Sequence, residues 1–230
     1  MAKIEFNLSG KPRYIDKSAY VRVLGITPLG KLISQCHGAM ISAGTELEKL
    51  IYERCNKIND LTQFIDEGLS RIHPHKVFVA SKSQVKKCKL FDSKLEPDFV
   101  IFKNDNCFIV EVKDGEAFDT EKSPAIHDNL TIFMHDVSTA SAFKFCIRFC
   151  SWNAETREQI HIGTKGIFPL DQIWTGREFC EFLNIDYKEI CRIRTNDQQA
   201  NLEYFVDSLL DIPNTRNMII KRLKNRGYKF

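Results

Sequence analysis

Two apolar runs, Phe99-Val100-Ile101-Phe102 and Phe108-Ile109-Val110, are joined by Lys103-Asn104-Asp105-Asn106, a turn-forming cluster between β-formers. The pattern predicts a hairpin buried on both faces, which commits the chain to a sheet covered on either side. Successive side chains on a strand alternate between faces, so Glu111 and Lys113 share one surface while Phe108, Val110 and Val112 face the other. Asp98 stands at the start of the first strand and Glu111 towards the end of the second. A short turn therefore brings both carboxylates, with the lysine, to one end of the hairpin.

Two carboxylates beside one lysine suit a particular chemistry. Mg²⁺ accepts one or two carboxylates and keeps room for waters and phosphate oxygens. A bound ion polarises a phosphoryl oxygen and acidifies a water, while an ammonium orients that water or neutralises charge on the phosphorane. Pro97-Asp98, followed after twelve residues by Glu111-Val112-Lys113, resembles the signature of the PD-(D/E)xK nuclease superfamily. The resemblance implies that Asp98 and Glu111 hold the metal and that Lys113 assists the attacking water. The plainer reading makes Glu111 and Lys113 a solvated polar face, paired with one another. Their place directly after a run buried on both faces weighs against it.

Upstream, Leu47, Leu50, Ile51, Cys55 and Ile58 recur with helical spacing and predict an amphipathic helix through Gly44 to Arg54. At about 100° per residue, Glu48 lies at the rim of that stripe, whereas Glu46 projects well away from it. Gly44 to Glu48 is similar to the Gly-x-x-x-Glu setting of a helical glutamate in many PD-(D/E)xK nucleases, which implies a fourth site residue, an auxiliary ligand of metal or water. Thr45-x-x-Glu48 is equally a capping box, in which Glu48 returns to the backbone amide of Thr45 and does no chemistry.

The 230 residues are 43% hydrophobic and 27% charged, with no linker-like tract, and read as a single nuclease domain over 1–230. A fold of this size hides roughly 70 to 75% of the surface its unfolded chain exposes, so no staple is required and the eight Cys are expected as thiols. Structural zinc favours Cys-x-x-Cys pairs. Cys146 and Cys150 are spaced differently and lie in an alternating strand, and His73-Pro74-His75 has no third ligand, so zinc is not expected. The amino end lacks an apolar signal region and no apolar run approaches the ~20 residues of a membrane span, which points to the cytoplasm.

Thr27-Pro28 opens a helix through Leu29, Leu32, Ile33 and Cys36, so two helices are expected ahead of the hairpin. Lys76 to Val79 and Ala142 to Trp152 read as strands. Between the hairpin and the second of these strands, Asp119 to Ser141 holds a helix or loop, with Asp119 and Thr120 as plausible caps and Ser123-Pro124 limiting where a helix can start. The last third predicts helices over Thr175 to Ile185, Asp197 to Leu210 and Asn214 to Arg226. The fold expected is α/β: a restriction-endonuclease-like core over about 27–165, with a mixed central sheet flanked by helices, and a helical C-terminal layer over about 166–230. In the tail, Lys221, Arg222, Lys224 and Arg226 offer phosphate contacts, although a basic helix end also complements its own dipole.

The net charge is only +3, so any DNA footprint must be local. A 230-residue domain of this charge resembles the type II restriction endonucleases more than the smaller, more basic junction resolvases. That resemblance implies Mg²⁺-dependent cleavage of double-stranded DNA at a specific site by a homodimer, alongside a DNA methyltransferase acting on the same site. The alternatives are a repair, junction-resolving or mobile-element nuclease, and a non-catalytic DNA-binding module. The intact set of Asp98, Glu111 and Lys113 argues against the last.

Overall fold

The structure is a computed structural model and describes residues 2–6, 18–68, 76–90, 95–115, 122–138 and 142–229. Among them are helices α1 (Ala19–Leu24), α2 (Thr27–Glu53), α3 (Leu61–Glu67), α4 (Lys82–Lys87), α5 (Ser123–Ser138), α6 (Arg157–Gly163), α7 (Gly176–Leu183), α8 (Tyr187–Asp211) and α9 (Pro213–Asn225). The strands are β1 (Asn56–Lys57), β2 (Val77–Ser81), β3 (Phe99–Lys103), β4 (Asn106–Lys113), β5 (Lys144–Ser151) and β6 (Ile173–Thr175). They fall into two compact units: Leu47–Ile190, which carries the sheet, and Met1–Glu46 with Cys191–Phe230, whose described part is helical. Among the described residues, no helix is long and apolar enough to cross a membrane.

In the sheet unit the strands lie side by side in chain order. β2, β3 and β4 are antiparallel neighbours, and β1–β2, β4–β5 and β5–β6 are parallel pairs. The connections explain the mixture. Only Asn104 and Asp105 separate β3 from β4, and Asn104 takes a left-handed φ of 54°, which Asn tolerates better than most side chains. Helices α5 and α6 intervene before β5 and β6, and crossovers of that length permit parallel pairing.

One face of the sheet sends Val100, Phe102, Cys107, Ile109, Ile147 and Phe149 into a core closed by α3, α5 and α6. On the other face, Phe108 meets Phe182 of α7 at 4.8 Å between ring centroids, and Phe99 meets Phe179 at 6.0 Å. Both faces are thus covered, and Phe99, Val100, Ile101 and Phe102 are all buried. Each such side chain contributes roughly 1.5–3 kcal/mol relative to exposure, which holds the hairpin rigid behind its polar end.

The structure corrects several expectations. The two helices ahead of the hairpin are one, because α2 runs unbroken through Gly44. A helical glycine costs only about 1 kcal/mol relative to alanine, too little to break a helix that buries Leu32, Ala39, Leu47 and Ile51. β6 lies in the stretch read as helical, and Thr175 ends that strand and caps α7 with its hydroxyl and with Glu178. A three-residue strand is too short to show period-two alternation. α8 starts at Tyr187, ten residues before the predicted Asp197, with Lys188, Glu189, Arg192 and Arg194 obscuring its apolar stripe. α5 begins at Ser123, where Pro124 allows. His73, His75, Asp119 and Thr120 lie outside the described residues.

In the helical unit, Ile4, Leu32 and Ala39 form a small core with Cys36, Tyr204, Phe205 and Leu209. Asn201 secures the amino-terminal arm, donating to the Ala2 carbonyl at 2.9 Å and accepting from the Ile4 N–H at 2.8 Å. Glu46, although it points away from the Leu47 stripe, is buried here and accepts the Ala2 N–H at 2.5 Å.

Candidate active site

Strand register brings the site together at one end of the interior strands β2, β3 and β4. Ser81 pairs with Phe99, and Phe99 pairs with Val110, so the residue after β2, the residue before β3 and the end of β4 fall side by side. Asp98 is anchored there: the Val112 N–H donates to its Oδ2 at 2.9 Å, and its carbonyl accepts the Lys82 N–H at 3.1 Å. Pro97 and Asp98 are both buried. Glu111 and Lys113 continue the face of Cys107 and Ile109 by alternation, and Lys113 Nζ lies 2.5 Å from Glu111 Oε1. Asp98, Glu111 and Lys113 thus share one corner.

The electrostatics of that corner are strained. Burial pushes the Asp98 carboxyl up to about 7, with Glu111 and Glu48 adding to the rise and the Val112 amide and Lys113 opposing it. Burial also raises Glu48, where Lys82 and Lys113 oppose and Glu111 adds. These mutual effects place Glu48 with the cluster. Thr45 and Glu48 lie well inside α2, so the capping-box role does not apply: interior amides already donate within the helix. Burial works against the charge on Lys113, but Glu111, Asp98 and Glu48 outweigh it and raise the lysine overall. Those carboxylates favour its ammonium form in the metal-free protein.

The sequence reading missed Lys82, the first residue of α4, whose Nζ is 3.8 Å from Asp98 Oδ1. A signal was present: Ser81-x-x-Gln84 is a capping box that marks a helix start directly after β2. Beside it opens a cleft of about 210 Å³ lined by Lys82, Pro97, Glu111, Ile126, Asn129 and Leu130, among others. The basic tail residues Lys221, Arg222, Lys224 and Arg226 are exposed on α9 and its C-cap, in the helical unit.

Among the described residues, no group of three or more His, Cys, Asp or Glu is arranged as a ready-made metal cage. A hard dication needs less, since one or two carboxylates suffice when waters and phosphate oxygens complete its shell. Burial lifts the carboxyls of Asp98 and Glu48, and the neighbouring Glu111 carboxylate adds to the rise of each. Such a donor set fits a dication, which would relieve the repulsion.

The chain matches no protein-family model and no solved structure. It is 35% identical over 228 residues to the type II restriction enzyme HhaII of Haemophilus parahaemolyticus, an alignment that spans 96% of this chain and 99% of that protein. The α/β sheet with its polar corner is compatible with a restriction-endonuclease-like fold. The chain belongs to the type II restriction enzymes and is a site-specific deoxyribonuclease.

Proposed function

We propose that the enzyme is a PD-(D/E)xK nuclease that uses Mg²⁺ to cut both strands of a specific site in double-stranded DNA, with Asp98, Glu111, Lys113 and Glu48 at the reacting centre. The observation that carries this reading is the convergence of two carboxylates and an ammonium on one partly buried corner, with the Asp98 carboxyl pushed up to about 7. Asp98 and Glu111 would hold the cation, which when bound supplies Lewis-acid charge to a phosphoryl oxygen and acidifies a water.

The chain's own groups do the rest. Asp98 would hold the cation as its carboxylate, having released its proton to solvent, because ligation requires the charged form. The Lys113 ammonium neutralises charge that develops on the phosphorane and keeps Glu111 in place through their ion pair. Glu48 accepts a hydrogen bond from the attacking water and so orients it. The basic face of α9 contributes phosphate contacts that position the duplex without reading its sequence. One such corner cuts one strand, so two copies on a two-fold site are the simplest route to a double-strand break. A DNA methyltransferase acting on the same site is the functional counterpart.

Digestion of a one-site plasmid, with the ends sequenced, tests the reading. Discrete ends are expected with Mg²⁺ or Mn²⁺, and undiminished cutting in excess chelator overturns the metal role. Linear product should appear with little accumulated nicked circle. A monomeric DNA complex in sedimentation that yields only nicks overturns the homodimer.

A further inference from the structure

Helix α4 opens with a cation where its own stability favours an anion. Lys82 is its first residue, and no acidic side chain occupies its first turn. The N-terminal end of a helix carries partial positive charge, so a lysine there gains nothing from the helix. Burial does not explain it either, since half of the side chain is exposed. Lys86, one turn on, is already paired at 3.5 Å with Glu96, which lines the same cleft. Lys82 instead turns to the site: its Nζ stands 3.8 Å from Asp98 Oδ1, it acts electrostatically on Glu48, and it lines the 210 Å³ cleft that also exposes Glu111. A separation of 3.8 Å is too long for a hydrogen bond. The ammonium therefore keeps its donors for a further acceptor.

A count of formal charge indicates which acceptor. The carboxylates of Asp98, Glu111 and Glu48 set three negative charges against the three positive charges of a dication and Lys113, and Glu96 is matched by Lys86. A phosphodiester entering the site adds one negative charge and its phosphorane a second, and Lys82 is the remaining cation of the described corner that faces them. We propose that Lys82 is a second active-site lysine, whose ammonium grips a phosphate of the DNA strand lying in the cleft beside α4. This deepens the nuclease reading above and rests on it. Lys82 thereby does for the substrate what Lys113, tied to Glu111, does for the reacting group.

The experiment measures DNA binding in Ca²⁺ as a function of salt for the wild type, Lys82→Ala and Lys82→Arg, with circular dichroism and melting as folding controls. Loss of one phosphate contact lowers the slope of log affinity against log salt by about 0.9, so the Kd ratio of Lys82→Ala to wild type should shrink roughly 3.5-fold between about 50 and about 200 mM salt. Lys82→Arg should retain the wild-type slope. An unchanged slope in Lys82→Ala, with the acid limb of the pH–rate profile moved to higher pH, overturns the proposal and makes Lys82 only a counter-charge of the carboxylates. Asp98→Ala and Glu111→Ala separate the two levels. If they cut as fast as the wild type, the nuclease reading itself fails; if they are inactive and the Lys82→Ala slope is unchanged, this inference fails alone.

Discussion

Asp98 destabilises the metal-free fold, and its replacement by asparagine should show by how much. Its carboxyl is held at about 7 against 3.8 for an ordinary aspartate. Below pH 3.8 the group is protonated whether the chain is folded or not, and it makes no difference to stability. As pH rises towards 7 the unfolded chain releases a proton that the folded chain retains, and stability falls by about 1.4 kcal/mol per unit. Above about 7 the loss is complete, and three units set its ceiling near 4 kcal/mol. An asparagine side chain would keep the shape and accept the Val112 amide through its carbonyl oxygen, without the charge. The Asp98→Asn protein should therefore gain roughly 2–4 kcal/mol at pH 8 in the absence of divalent ions, or about 4–16 °C in Tm for a chain of this size. The gain should vanish near pH 4, and DNA cleavage should be lost. Mg²⁺ at pH 8 should narrow the gap, because it binds and stabilises the folded wild type alone. Thermal and urea unfolding at pH 4, 6 and 8 provide the measurement. A variant less stable than wild type at pH 8, or a difference that does not change with pH, would refute the reasoning.

Lys113→Ala should bind specific DNA in Ca²⁺ within a few-fold of wild type while its single-turnover cleavage rate falls about 10²–10³-fold, since the ammonium acts on charge formed in the transition state. Equal loss of binding and cutting in a folded protein would assign it a clamping role. Away from the site, a Cβ at Gly176 would lie 2.5 Å from the Trp152 carbonyl oxygen and 3.0 Å from Trp152 Cα. Gly176→Ala should cost about 1–3 kcal/mol by forcing α7 off β5, and an unchanged melting temperature would show that α7 can shift freely.

The hairpin and the relation of Glu111 to Lys113 were legible because they are local: alternation links positions two apart, and a two-residue turn sets the register. The rim position of Glu48 was equally legible from the helical period. Whether that glutamate caps a helix or faces the carboxylates was not, since it depends on where α2 begins. Burial of Leu32 and Ala39 against residues distant in sequence decided that. The short strands β1 and β6 carry no period of their own and exist because longer neighbours offer them hydrogen-bond partners. Lys82 belongs with them. By itself the sequence determined that Asp98, Glu111 and Lys113 share one end of a hairpin. The tertiary structure alone decided that Lys82 and Glu48 join them, and that Asp98 is buried deeply enough to hold its proton. Proximity between distant segments and the desolvation of a carboxylate arise only when the sheet and its helices close together.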